Sequence, residues 1–574
     1  MDFRAQSLSL WLCGSFVFLT SFCLPTLAYD YPPLVTTKGM VASDNPIASE
    51  VGRDILKAGG NATDAAIATA LALGVLQPFA SGIGGGGFML VRDVARQEQA
   101  NIPNIEVIDY RETAPAKASR DMFIRNGKAV PELSQTGGLA IATPGEIKGF
   151  YLAHQRHGTL PWAKLLAPAQ RLAERGVTVG PLLSRFLKTN QNAILASPTM
   201  LPVFAPRGKL LSEGDFLQQP KLGKTLSLVA QKGPDGFYRG KVAHGLAKDI
   251  QGNGGVLSEQ DLARYEAKVR KPIQGQYRGL ELYTMPPPSS GGAILIEILN
   301  ILEGYDLGSM GQNSSASLHL ITEAMKHSFS DRAQVMGDMD FVNVPLKKLI
   351  DKAYAASIRK RIEQRTKAPA FYGGFNQATA ATTDHGTSHL SVADSQGNVV
   401  AMTNTINLSF GSKLLSPSTG ILLNDEMDDF SAEPGVPNAF GLVGNAANAI
   451  APGKRPLSSM SPTLVFKQGK PYLILGASGG PMIITSTLQT FLNVVDYGLE
   501  VRAAVESPRI HHQWQPNRIS IEKEFPLDVV DGLKKRGHEI KMVDELGAVQ
   551  VIQIKDEKLY GASDPRKLGF PSGY

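Results

Sequence analysis

The step Gly386–Thr387 separates a stretch of small polar residues from the start of a strand, and threonine carries a hydroxyl able to attack a carbonyl. Residues 387–394 (TSHLSVAD) and 398–405 (NVVAMTNT) flank Ser395-Gln396-Gly397, a three-residue hairpin loop with glycine where positive φ is needed. Pairing Asp394 with Asn398 sets a register in which Thr387 stands opposite Thr405. Alternation then places Leu390, Val392, Val400 and Met402 on one apolar face. Thr387, His389, Ser391, Thr403 and Thr405 share the other, and Asn407 follows in the same parity. A face lined with hydroxyls is either a solvated surface or a hydrogen-bonded site built around Thr387. Periodicity leaves both open.

Other reactive groups point to less. Asp425, Glu426, Asp428 and Asp429 suggest calcium but lack the spacing and central glycine of a calcium-binding loop. His385 and His389 flank the Gly386–Thr387 step and His511-His512 sit together; paired histidines without carboxylate or cysteine partners are weak metal evidence, and all four read as structural. Gly82, Gly84 and Gly87 spell G-x-G-x-x-G, but the order is helix, glycines, strand, the reverse of a dinucleotide site. Gly479-Gly480 taken alone is a turn. The two cysteines, Cys13 and Cys23, are followed by none, which excludes thiolate zinc sites, iron–sulfur clusters and a disulfide scaffold. No metal and no cofactor are expected.

The elements that must carry these residues alternate between helical and strand periods. Residues 61–76 (NATDAAIATALALGVL) form a buried helix capped by Asn61 or Thr63 and stopped by Pro78, leading through the glycine bend 81–88 into a strand. Further helices are predicted over 162–175, 222–231, 242–252 and 293–302, with one exposed helix over 346–365. The segment 285–292 (MPPPSSGG) is a loop in which Ser289 and Ser290 read as turn residues, and 372–386 reads as a flexible surface loop. Hydrophobic residues at 43% and charged residues at 19% supply a large core. A net charge of +6 over 574 residues gives no footprint for nucleic acid. The apolar run 9–28, with Arg4 before it, Pro25 inside it and Ala28 at its end, reads as a secretory signal over 1–28. Its rival is an uncleaved membrane anchor. Phe22 before Cys23 argues against lipoprotein processing. The mature protein is expected in the periplasm or medium, without stable membrane insertion.

A series of longer motifs adds to this. Residues 387–392 (TSHLSV), 410–413 (FGSK), 420–430 (GILLNDEMDDF), 455–461 (RPLSSMS), 476–480 (GASGG) and 560–566 (YGASDPR) occur in order. With 39–59, 61–89 and Tyr110-Arg111-Glu112, they resemble the γ-glutamyltranspeptidase (glutathione hydrolase) family of N-terminal nucleophile hydrolases. The resemblance implies an α/β (α+β) fold, a four-layer αββα sandwich built jointly by two autoproteolytic chains, 29–386 and 387–574, cut at Gly386–Thr387. It implies Thr387 as nucleophile, Thr405 as its hydrogen-bond partner, and Gly479 and Gly480 as oxyanion hole. Arg111, Ser458 and Ser459 would bind the donor's α-carboxylate. Asn407, Glu426 and Asp429 would surround its ammonium, Glu426 standing where some members carry glutamine. Residues 434–445 match a lid with Phe440 at its tip. Ser388 replaces a threonine of the commoner form and keeps the hydroxyl.

The implied partners are glutathione and other γ-glutamyl compounds as donors, amino acids or dipeptides as acceptors, and a heterodimer of the two chains. Two other functions share part of the pattern. An acylase for glutaryl or cephalosporin side chains would use the same nucleophile without an ammonium site. A periplasmic amino-acid binding protein would need no Gly-Thr bond.

Overall fold

The structure, a computed structural model, describes residues 32–96, 103–374, 386–433 and 435–574. The segment 1–28 and most of the expected loop 372–386, including His385, lie outside the described residues. Strands Ser388–Asp394 and Val399–Thr405 form the predicted hairpin. Leu390 pairs with Met402 and Val392 with Val400, and Gly397 turns the chain at φ 83°. The strand proper begins at Ser388, one residue later than expected, because Thr387 leaves the extended region with φ 106°.

The hairpin sits inside a seven-stranded antiparallel sheet, between Gly39–Ser43 and Gly86–Arg92. A second seven-stranded sheet centres on Lys470–Ser478, flanked by Ala548–Lys555 and Thr463–Lys467. Leu390, Val392, Val400 and Met402 belong to one buried cluster with Ile55 and Leu71 of helices Pro46–Lys57 and Ala62–Leu76. Residues of the opposite parity, Ala393, Val399 and Ala401, join Leu473, Leu475 and Val551 of the second sheet in another. Helices Gly291–Leu302 and Met482–Val495 cover that sheet's far side, contributing Ile294, Ile298, Ile484 and Leu488 to the same cluster. The layers run helix, sheet, sheet, helix, as expected. A hairpin buried on both faces has no solvated side, so its polar parity must find protein partners. The hydroxyl-lined face is therefore an interior one.

Local chemistry explains the elements that serve the hairpin. Helix Ala62–Leu76 starts at Asn61, whose side chain accepts from Asp64 N–H while Asp64 returns the bond. The helix is buried nearly all round, which its alanine-rich sequence allows. The glycines after it are needed on steric grounds, since a Cβ on Gly85 would lie 2.0 Å from the carbonyl oxygen of Thr405. Trp162–Arg175 runs as predicted, and Pro220–Lys232, Gly240–Gly252 and Gly291–Leu302 each extend the expected helix. The single helix expected over 346–365 is instead two short ones, Leu346–Leu349 and Lys352–Arg359, because Asp351 caps the second. No helix among the described residues is long and apolar enough to cross a membrane.

Candidate active site

Thr387 is buried at the hairpin's entrance, and its Oγ1 lies 3.0 Å from Thr405 Oγ1. Thr405 Oγ1 accepts from Asn407 N–H at 2.8 Å, which leaves its own proton to be donated to Thr387. The Thr387 amide donates to the Ala80 carbonyl at 3.0 Å. On the preceding residue a Cβ would stand 1.8 Å from the Asn407 carbonyl oxygen, so only glycine fits at Gly386. Behind Thr387, Lys567 Nζ donates to its carbonyl and pairs with Asp44 at 3.2 Å. Burial raises the Asp44 carboxyl against the pull of Lys567. His389 bonds Thr403 Oγ1 at 2.8 Å, and burial pushes its imidazole down to about 3, so it stays neutral in the packing.

A small cavity beside the two threonines is lined by Arg111, Asn407, Glu426, Asp429, Phe440, Ser458, Ser459 and Gly480. The structure thus brings the residues singled out in the sequence to one place, with Gly479 just behind. Gly479 and Gly480 carry φ of 123° and 57°, and their N–H groups meet no backbone acceptor among the described residues. Arg111 is held between Glu426 and Asp429, with Glu112 at 3.6 Å and its Nε donating to the Pro456 carbonyl at 3.2 Å. Burial pushes the Glu426 carboxyl up to about 7, although Arg111 draws it back. Asp429 is also raised by burial, opposed by Arg111 and Arg332. Glu112 is raised well above the usual range by burial and the Glu426 charge.

One comparison decides what this arrangement belongs to. The family model described as gamma-glutamyltranspeptidase matches residues 48–574. The chain belongs to the γ-glutamyltranspeptidase family. It is 45% identical over 541 residues to the glutathione hydrolase proenzyme of Escherichia coli (strain K12), covering 94% of this chain and 92% of that one. Among solved structures, the cephalosporin acylase from Bacillus halodurans aligns with a TM-score of 0.84 at 29% identity, over 96% of this chain and 99% of that one. The Helicobacter pylori gamma-glutamyltranspeptidase aligns with a TM-score of 0.56 at 41% identity, over 58% of this chain and 95% of that one. The N-terminal nucleophile fold is thus shared with an acylase, while sequence identity is higher with the glutathione hydrolases.

Other residues of the site were not legible beforehand. Ser289 and Ser290, read as turn residues, are buried clamps. Ser290 Oγ donates to the Ser458 carbonyl at 2.7 Å and Ser289 Oγ to the Met460 carbonyl at 2.6 Å, which fixes the Ser458-Ser459 backbone. Asp44, Glu112, Arg332, Asn438 and Lys567 join the site or its backing. Asp44 and Glu112 stood inside stretches already singled out, and Lys567 directly follows the 560–566 motif. Arg332 carried no such signal. In the segment expected to form a lid, Phe440 packs its ring against Gly480, where a Cβ would approach it to 2.6 Å. Asn438 fastens that segment: its Nδ2 donates to Asp429 at 3.1 Å, while its Oδ1 accepts from Phe440 and Leu442 N–H. His511 bonds Thr485 and Gln513, and His512 accepts from Trp514 N–H, so both are packing groups. Among the described residues, His319, Glu323 and His538 stand close enough to share a metal ion. None of them lines the Thr387 cavity, and Glu323 already accepts from Tyr372 and Thr366 with Lys326 at 3.5 Å.

Proposed function

We propose that this γ-glutamyltransferase and glutathione hydrolase cuts itself at Gly386–Thr387 and then works through the freed threonine. The observation that carries the reading is Thr387 Oγ1 bonded to Thr405 at the mouth of a buried cavity holding Arg111, Glu426, Asp429 and the serine pair. In the precursor, Thr387 Oγ1 attacks the Gly386 carbonyl, the amide becomes an ester, and water releases the Gly386 carboxylate and the Thr387 α-amine. That amine keeps the Ala80 carbonyl as its acceptor. With a reference pKa near ~7.7–8.0, it takes the proton of its own hydroxyl.

The donor is a zwitterion. Its α-carboxylate displaces the acids from Arg111 and takes protons from Ser458 and Ser459. Its ammonium replaces Arg111 beside Glu426, Asp429 and Asn407. Thr387 Oγ1 then attacks the γ-carbonyl, whose oxygen gathers charge against the N–H groups of Gly479 and Gly480. A single donor of this kind supplies about 2.7–4 kcal/mol of transition-state stabilisation. The protonated amine passes its proton to the departing amine, cysteinylglycine when the donor is glutathione. The γ-glutamyl ester on Thr387 goes to water or to the amine of an amino acid or dipeptide. Glu426 and Asp429 give a glutaryl group nothing to pair with, which counts against the acylase reading.

Mass spectrometry of the exported protein tests this. Two chains beginning at Tyr29 and Thr387 are expected, the first marking loss of a signal segment in the periplasm or medium. Thr387→Ala should leave one uncut, inactive chain. An uncut chain with full activity would overturn the reading.

A further inference from the structure

Arg332 sits on helix Ser315–Val335, is 4% exposed, and differs from Arg111 in having no carboxylate within ion-pair distance among the described residues. Its guanidinium meets two hydroxyls: Nε donates to Ser290 Oγ at 2.9 Å and Nη2 to Ser459 Oγ at 3.4 Å. These two serines spend their protons differently. Ser290 gives its proton to the Ser458 carbonyl at 2.7 Å. Ser459 accepts from Arg332, lines the cavity with Arg111, and has no acceptor for its own proton among the described residues. A hydroxyl whose lone pair is taken from behind turns its proton forward, into the cavity.

A buried cation without an ion pair is costly unless an anion completes it. Burial draws the Arg332 guanidinium down to about 10, with only the more distant Asp429 opposing. Arg332 also borders the space under the lid residues Asn438 and Leu442, on the Asp429 side.

We infer that Arg332 is a positioning and specificity-determining residue, which aims the Ser459 hydroxyl at the donor's α-carboxylate and places a second positive charge behind it. The inference rests on reading the cavity as the γ-glutamyl pocket. It predicts that Arg332 matters for donors bearing that carboxylate and little for those lacking it.

The test compares γ-glutamyl anilide with 4-aminobutyryl anilide, which keeps the amine and the scissile amide but has no α-carboxylate. Kinetics are measured on self-cleaved wild type, R332Q, R332K, S459A and S459A/R332Q. R332Q should raise KM for γ-glutamyl anilide about tenfold or more with kcat little changed, and alter 4-aminobutyryl turnover less than about twofold. R332K keeps the charge but loses the two-pronged geometry, so its KM should rise less, about threefold, on the same donor alone. It carries the test if R332Q does not process itself. In the S459A background, R332Q should add much less than it does alone, because the two act as one unit. Equal losses on both anilides in both Arg332 variants would mean packing and would overturn the inference. So would an unchanged KM in R332Q. A wild type that cleaves neither anilide overturns the reading of the pocket, and this inference with it.

Discussion

Thr387 is a β-branched residue held at φ 106°, a region that L residues with branched side chains avoid. Such a conformation costs on the order of 1–3 kcal/mol, and here it lies on the carboxyl side of the bond proposed for cleavage. Gly386 makes the arrangement possible by leaving room for the Asn407 carbonyl. Gly386→Ala should therefore stall maturation, leaving uncut chain on a denaturing gel long after wild type is processed. Processing at the wild-type rate would show that the contact does not limit the approach. The acids of the pocket give a second expectation. Burial holds the Glu426 carboxyl near 7, so it is neutral below that pH and negative above it. Only the negative form attracts the donor's ammonium. KM for γ-glutamyl anilide should fall as pH rises through about 7. Glu426→Gln should flatten that change while the kcat profile keeps the inflection of the Thr387 amine. A Glu426→Gln profile with the same KM inflection would assign it to another group.

At the scale of elements, the proposed lid and the proposed ammonium site are one unit: Asn438 ties Asp429 to Phe440 and Leu442 through three hydrogen bonds. Asn438→Ala removes the tie. A lost hydrogen bond of about 0.5–1.5 kcal/mol predicts a donor KM some ~2–12-fold higher with kcat nearly unchanged. Phe440→Ala should raise KM likewise, by opening the Gly480 side of the cavity. Steady-state kinetics decide, and a fall in kcat alone would place the lid in a later step. The hairpin and its partner threonine could be read from the sequence because alternation and a glycine-terminated loop fix register locally. The Ser289-Ser290 clamp could not, since a Pro/Gly loop reads the same whether exposed or packed. Arg332 could not either. Its helix is buried over most of its length, so it shows no clear apolar stripe, and its two partners lie 42 and 127 residues away in the chain.

Across the whole molecule, the proposed cut falls between pieces that never form separate sheets. The sheet holding the hairpin takes Gly39–Ser43, Gly86–Arg92, Ile105–Asp109 and Lys268–Arg270 from before Thr387. It takes Ser388–Asp394, Val399–Thr405 and Ser572–Gly573 from after it. The second sheet is mixed in the same way, with Leu280–Thr284 paired to Thr463–Lys467. Both large buried clusters draw side chains from both pieces. A cut before Thr387 therefore frees an amine without opening a sheet, and the two chains remain one cooperative unit. Mature protein should pass through size exclusion as a single species and melt in one transition reported equally by far-ultraviolet and tryptophan signals. Expressed alone, residues 387–574 would expose the sheet edges that Gly39–Ser43 and Gly86–Arg92 cover, and should be recovered only as aggregate. If that piece instead folded alone with a sharp transition of its own, the shared-sheet account of how the cut chain holds together would be wrong.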